Sequence, residues 1–298
     1  MAERVLLAGC GDLGQRVAQR LLARGDEVHA LRRAPPAEDS RGIRWWRADL
    51  TDPSSLRGLP RGITQLVYLP TPAARDEDAY RAVFIDGLRA LLDALDTTRL
   101  RRVLFVSSSA VYGEQLDGWV DEETPPAPPG FNGRALLEAE QWLAAQPVDS
   151  VVLRLAGLYG PGRLQLIERL RAGQVRVPRA VSHVANRMHV DDAAAAIAHL
   201  LQLPVARPLY IGADDTPLPL AELYDHLAEM IGAPRPEEGP APPGVGSKRL
   251  SNARLRAGGF VPQWPDAREG YAALLGALGA CGAKSEGPPP HPNPLPRR

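Results

Sequence analysis

The chain has 298 residues, of which 35 are basic and 35 acidic, for a formal net charge of zero. That balance leaves no broad basic face for nucleic acid or an anionic membrane, and no apolar run approaches the ~20 residues that a membrane-spanning helix needs. The length suits one large domain or two small ones, and the two cysteines, Cys10 and Cys281, offer neither a disulfide framework nor a zinc site and point to a cytoplasmic protein.

Val5, Leu6, Leu7 and Ala8 form the first apolar run, suited to a buried parallel strand. Gly9, Gly11 and Gly14 follow in G-x-G-x-x-G spacing, and Val17, Leu21 and Leu22 then recur at helical spacing. Strand, glycine turn and helix in that order are what a dinucleotide site requires. The first glycine permits the tight turn, the second lets backbone approach a pyrophosphate, and the third lets helix pack on strand. The free N–H groups of the helix N-terminus face the phosphates. Gly9, Gly11, Asp12, Leu13 and Gly14 are the expected cofactor-binding turn; the plainer reading is a turn that needs glycine for its geometry alone. Cys10 within it reads as a small packing residue. The second strand, Glu27 to Leu31, is followed by Arg32 and Arg33 where NAD sites usually place an acid. A guanidinium fork suits a 2′-phosphate, so the expected cofactor is NADP, with NAD the second choice. A solvated basic loop is the alternative.

A third strand is predicted over Ile43 to Arg47, ending in Ala48-Asp49-Leu50, and a fourth over Thr64 to Leu69. A continuous helix is predicted over Glu77 to Leu95, with Tyr80, Phe84, Leu88, Leu91, Leu92 and Leu95 on one side. The fifth strand, Arg102 to Val106, ends in Ser107-Ser108-Ser109. A helix over Arg134 to Ala145 and a sixth strand over Ser150 to Leu155 follow. Asp191 to Gln202 reads as a helix capped by Asp191 and Asp192. A last short strand, Leu209 to Gly212, precedes a helix over Pro219 to Ile231. Of Trp45 and Trp46, one is expected inside and one near the surface. The alternation of strands and helices predicts an α/β fold, a doubly wound parallel sheet of the Rossmann type with a smaller C-terminal lobe. The expected division is 1–158 and 188–212 for the nucleotide-binding core and 159–187 and 213–280 for the substrate lobe. Residues 281–298, rich in proline, are expected to be a disordered tail.

Five local patterns occur in order: GCGDLG, ADLTD, FVSSSAVYG, LRLAGLYGPGR and NRMHVDDAAAAI. Together they resemble the extended short-chain dehydrogenase/reductase family, also called the NAD-dependent epimerase/dehydratase family, over about residues 4–275. GCGDLG departs from the family's commoner G-x-x-G-x-x-G loop. The resemblance implies a Rossmann core, a substrate lobe and, in many members, nucleotide-linked sugar substrates. It implies that Asp49, with Leu50 beside it, meets the adenine. Leu69 and Pro70 would line the cofactor, Ala156 to Tyr159, with Leu158 among them, would lie near the nicotinamide, and Ser108 would hydrogen-bond the reacting oxygen.

The family's acid/base is a tyrosine in Y-x-x-x-K. The matching segment here is Asn132-Gly133-Arg134-Ala135-Leu136, and no Y-x-x-x-K occurs anywhere in the chain. A tyrosine near pKa 10 needs a neighbouring cation to work at neutral pH, and Asn132 with Leu136 supplies neither proton nor charge. Tyr112, Tyr159 and His189 are alternatives, each more readily explained as structural. In the C-terminal half, Lys248 and Arg249 lie in Gly246-Ser247-Lys248-Arg249-Leu250-Ser251-Asn252; with Arg187 they would suit an anionic substrate. No metal site is expected. Two functions stay open: an NAD(P)-linked oxidoreductase of the epimerase/dehydratase type acting on a small sugar-like or anionic substrate, with Ser108 orienting the reacting group, or a catalytically silent NADP-binding sensor. Neither reading needs a nucleic acid or membrane partner, and a homodimer is conceivable through the helix Glu77 to Leu95.

Overall fold

The computed structural model describes residues 2–36, 42–116, 118–242 and 244–282, with side chains through residue 278. In chain order the first elements are β1 (Arg4–Ala8), α1 (Asp12–Ala23), β2 (Glu27–Arg32), β3 (Arg44–Arg47), β4 (Gln65–Tyr68), α2 (Glu77–Arg81), α3 (Gly87–Ala94) and β5 (Arg102–Ser108). Next come β6 (Trp119–Val120), α4 (Phe131–Ala144), β7 (Asp149–Leu155), β8 (Gly157–Tyr159), α5 (Gln165–Arg171), β9 (Arg176–Val177), β10 (Val184–Ala185) and β11 (Arg187–His189). The last are α6 (Val190–Gln202), β12 (Leu209–Gly212), β13 (Leu218–Pro219), α7 (Leu220–Met230), β14 (Glu237–Glu238), β15 (Arg249–Leu250), α8 (Ala253–Ala257) and α9 (Ala267–Gly282). The tail expected beyond that helix, and the Cys281 side chain, lie outside the described residues.

Seven parallel strands form the central sheet in the order β12-β7-β5-β4-β1-β2-β3. The chain runs outward from β1 to β3, then returns to place β4 on the other side of β1. That reversal opens a crevice at the carboxyl ends of β1 and β4, where α/β sheets bind ligands. The apolar runs explain the sheet: Val5 to Ala8 and Leu66 to Tyr68 are fully buried, as strands covered on both faces must be. On α1 the buried residues are Gly14, Val17, Ala18 and Leu21, a stripe at helical spacing turned to the sheet. A second, smaller core gathers Tyr159, Ile167, Leu170, Leu223, Leu227 and Tyr271 from β8, α5, α7 and α9.

Five local expectations change. The helix predicted over Glu77 to Leu95 is interrupted at Ala82–Asp86 by one π turn. The buried Tyr68 hydroxyl donates to the Val83 carbonyl, and the Gly87 N–H reaches back to the Ala82 carbonyl instead. Gly87 is needed there, since a Cβ would stand 2.9 Å from the Leu50 carbonyl oxygen. The fifth strand runs on through Ser107 and Ser108, and α4 starts three residues early, bringing Asn132 into its first turn. The expected aspartate caps of α6 are replaced by His189, whose Nδ1 accepts from the Asp191 N–H at 3.2 Å. Asp191 instead pairs with Arg16 at 2.6 Å, while Asp192 accepts the N–H groups of Gln263 and Trp264 at 2.8 and 2.9 Å. Adjacent helical residues point about 100° apart, so the two carboxylates serve different neighbours. Both tryptophans are half-buried, and Trp46 donates its indole N–H to His29 at 3.0 Å.

A candidate dinucleotide and substrate groove

Three cavities follow one another across the carboxyl edge of the sheet, and each shares wall residues with the next. The first, of about 420 Å³, lies beyond β1, β2 and β3 and is lined by Gly9, Gly11, Arg32, Arg33, Asp49, Leu50 and Pro70. The second, of about 330 Å³, is lined by Gly9, Gly11, Asp12, Leu13, Gly14, Leu69, Pro70, Ser108, Ala156 and Leu158, together with Asn132, Leu136 and Arg163. The third, of about 550 Å³, faces the smaller core and is lined by Ser108, Asn132, Ala156, Arg187 and Lys248, with Arg75, His183 and Tyr224. Ser108, Asn132 and Ala156 belong to both the second and the third. Arg249 lines none of the three. It sits on β15 paired with Trp119, and its neighbour Lys248 takes the cavity side because successive residues of extended chain point to opposite faces.

The glycine turn has the geometry a pyrophosphate needs. Gly9 has φ +89°, and a Cβ on it would fall 2.4 Å from Pro70 Cα. A Cβ on Gly11 would meet nothing within 4 Å, so its backbone opens onto the cavity. A Cβ on Gly14 would press on the buried Cys10 Sγ at 3.1 Å, which makes Cys10 part of the helix-to-strand packing. No side chain caps the N-terminus of α1, so its first N–H groups are available to an anion. A dinucleotide fits this donor set. Arg32 and Arg33 are exposed at the rim, and among the described residues neither makes an ion pair. The Asp49 carboxylate accepts from the Thr51 N–H and hydroxyl at 3.0 and 2.8 Å, which fixes it at the cavity wall.

Arg163 escaped the sequence reading. It follows the turn after β8, reaches across α1 to Asp12 at 3.3 Å, and lines the second cavity. Arg16 holds that turn in place by donating to the Pro161 carbonyl at 3.2 Å while it pairs with Asp191. Only the fold brings residue 163 beside residue 12; the one sequence hint was the position of Arg163 at the end of a glycine-rich turn.

The wall that carries Ser108 and Asn132 is braced from beneath. The Glu140 carboxylate accepts from the Ser107 hydroxyl and pairs with Arg154 at 2.6 Å, with both charged side chains buried. Arg154 also stacks over the Tyr112 ring at 4.8 Å. Tyr112, which lines the third cavity, gives its hydroxyl proton to the Asp121 carbonyl at 3.0 Å. Tyr159 is stacked on Tyr271 at 4.3 Å, and its hydroxyl is buried without a hydrogen-bond partner among the described residues. His189 lies edge-on to Tyr159, and burial lowers its pKa. None of the three lines the second cavity, whereas Asn132 does, with an amide that no hydrogen bond engages among the described residues. Among the described residues no cluster of His, Cys, Asp and Glu could hold a metal ion, and no helix is long and apolar enough to cross a membrane.

Comparison with known proteins matches residues 5–212 to the model of the NAD dependent epimerase/dehydratase family. The chain is 31% identical over 276 residues to Protein YeeZ of Escherichia coli, spanning 89% of this chain and 97% of that one. It is 30% identical over 263 residues to a 3-diazoavenalumate denitrifying reductase from Streptomyces, spanning 80% of this chain and 84% of that one. A solved structure of a candidate NAD-dependent epimerase/dehydratase from Methylobacillus flagellatus superposes with a TM-score of 0.78 at 41% identity, covering 93% of this chain and 99% of that one.

Proposed function

The chain belongs to the NAD dependent epimerase/dehydratase family, and from that premise we propose that it is an oxidoreductase using NADP in preference to NAD to reduce a carbonyl group on a small anionic substrate. The observation that carries this reading is the composition of the third cavity. Its wall presents the cations Arg75, Arg187 and Lys248 and the imidazole of His183, and includes no aspartate or glutamate, in a chain whose charges otherwise cancel. Such a wall favours a carboxylate or phosphate.

Ser108 stands where the second and third cavities meet. Its Oγ accepts from the Ala110 N–H at 3.2 Å, which leaves the hydroxyl proton free for a carbonyl oxygen. A bound nicotinamide would supply or accept the hydride at this junction. Around it the chain's own parts have separate tasks. The glycine turn and the α1 N-terminus hold phosphates, with Arg163 beside them. Arg32 and Arg33 meet a 2′-phosphate; two guanidiniums there make the NADP preference a charge argument. Arg187, held by its bond to the Tyr224 hydroxyl at 3.0 Å, orients the substrate's anionic end.

The test is a calorimetric titration with NADPH and NADH, followed by NADPH oxidation with acetoacetate, succinic semialdehyde and dihydroxyacetone phosphate, each beside a neutral counterpart. Tighter binding of NADPH and turnover confined to the anionic compounds are expected. Arg32→Ala with Arg33→Ala should weaken NADPH roughly tenfold or more and leave NADH nearly unchanged. Turnover surviving in Ser108→Ala would remove that hydroxyl from the reaction. A second reading, a cofactor-binding sensor, draws on Asn132 and Leu136 lining the second cavity without a titratable group; NADPH binding with no consumption by any compound would favour it.

A further inference from the structure

The third cavity holds the group that the missing tyrosine leaves unprovided. The chain contains two lysines, Lys248 and Lys284, against 33 arginines. Lys248 is 3% exposed and lines the cavity wall that Ser108 and Asn132 also form. Resting on the reading of the chain as an NADP-linked carbonyl oxidoreductase, we propose that Lys248 is the proton-transfer residue of the site, a group on a different segment from the helix where the family resemblance puts its acid and base.

The ammonium is held without a counter-ion in contact. It donates to the Gly246 carbonyl at 3.0 Å, and among the described residues no carboxylate pairs with it. Burial lowers its pKa, and the nearby Glu114 carboxylate opposes that only in part. Glu114 is committed elsewhere: burial works against its charge, but the N–H groups of Ser247, Leu116 and Gln115 bring it below the usual range. Arg75 and Arg187, the other cations on the wall, do not themselves release protons. The Tyr224 hydroxyl accepts from Arg187, Tyr112 is turned to Asp121, and His183 has partners of its own. Lys248 is therefore a cavity amine that burial makes readier to release a proton, with no carboxylate in contact among the described residues to hold its charge.

The step balances without a further reagent. The carbonyl carbon gains the hydride of a reduced nicotinamide, and the carbonyl oxygen takes one proton from the Lys248 ammonium. The C=O π bond is lost and one C–H and one O–H bond form. The neutral amine left behind recovers its proton from water at the mouth of the cavity. In the oxidative direction the amine accepts the hydroxyl proton.

The experiment uses the full chain. With lysine at two positions, 13C-lysine labelling gives two Cε signals, and Lys284→Arg assigns them. Lys248 is expected to titrate below the usual lysine range. In steady-state reduction of the anionic carbonyl compounds, kcat/KM for the native chain should fall as pH rises through the Lys248 titration. Lys248→Met should lower kcat/KM by about 10²- to 10⁴-fold and abolish that limb, with the NADPH dissociation constant unchanged. Lys248→Arg should keep the substrate KM without restoring kcat, and it carries the test if the methionine variant does not fold. An ordinary titration at Lys248, or either variant keeping kcat and the alkaline limb, overturns the proposal alone. Absence of NADPH binding, or binding without reduction of any compound, overturns the underlying reading and the proposal together.

Discussion

Asp214, just past the end of β12, gives the sharpest test of how this fold handles a buried charge. It is 3% exposed, and neither carboxyl oxygen has a hydrogen-bond partner in good geometry. Burial pushes its pKa up to about 8; the Asp266 and Asp215 carboxylates add to the rise, and the Thr216 N–H and the Arg187 guanidinium offset only part of it. The folded chain therefore keeps a proton on Asp214 that the unfolded chain loses near pH ~4. Between those limits the native state binds more protons than the unfolded state, so this group's contribution to stability falls as pH rises, by about 1.4 kcal/mol per pH unit. His29 and His189 act in the opposite sense, because burial lowers their pKa and the unfolded chain takes up their protons first as pH falls. Asp214→Asn has nearly the same shape and no titration, so its difference from the native chain cancels every other group. From about pH 5.5 to about pH 7.5, the variant should gain up to about 2.7 kcal/mol relative to the native chain. At roughly 2–4 °C per kcal/mol for a chain of this size, that is a relative Tm gain of roughly 5–10 °C. Urea or thermal unfolding of both proteins at fixed ionic strength reads it out. A difference that does not change with pH would refute the reasoning and place an ionised carboxylate in the pocket.

Gly9→Ala must either push Pro70 aside or abandon a φ of +89°; NADPH binding should fall by more than tenfold, measured by calorimetry on protein shown by circular dichroism to be folded. Glu140→Gln leaves the Arg154 guanidinium buried without its counter-charge and should cost about 3–5 kcal/mol in urea unfolding, with much of the loss recovered when Arg154→Met is added. Tyr68→Phe strips the hydroxyl from the Val83 carbonyl and should cost about 1–3 kcal/mol, with faster amide exchange confined to the π turn.

The sheet was legible because each strand is a short apolar run, and buried parallel strands leave that mark whatever surrounds them. The glycine turn was legible because its constraint is local: three glycines within six residues. Of the groove's far end, Arg187 and Lys248 were legible as cations for an anionic substrate, but Arg75, His183 and Tyr224, which come from separate segments and share no periodicity, were not. Lys248 and Arg249 looked alike in sequence and are consecutive in extended chain, which puts one on the cavity wall and leaves the other beside Trp119. The π turn depends on a hydroxyl from β4 reaching the Val83 carbonyl, a contact that helical spacing cannot register.

The brace beneath α4 also bears on how such a site can change over time. Glu140 ties the helix to Ser107 on β5 and Arg154 on β7 two turns away from Asn132, so the helix has an anchor apart from positions 132 and 136. Substitution at Asn132, or of the buried Leu136 by a side chain of similar shape, leaves that brace in place. A lineage could therefore shed one catalytic pair and adopt another across the groove without passing through an unfolded ancestor.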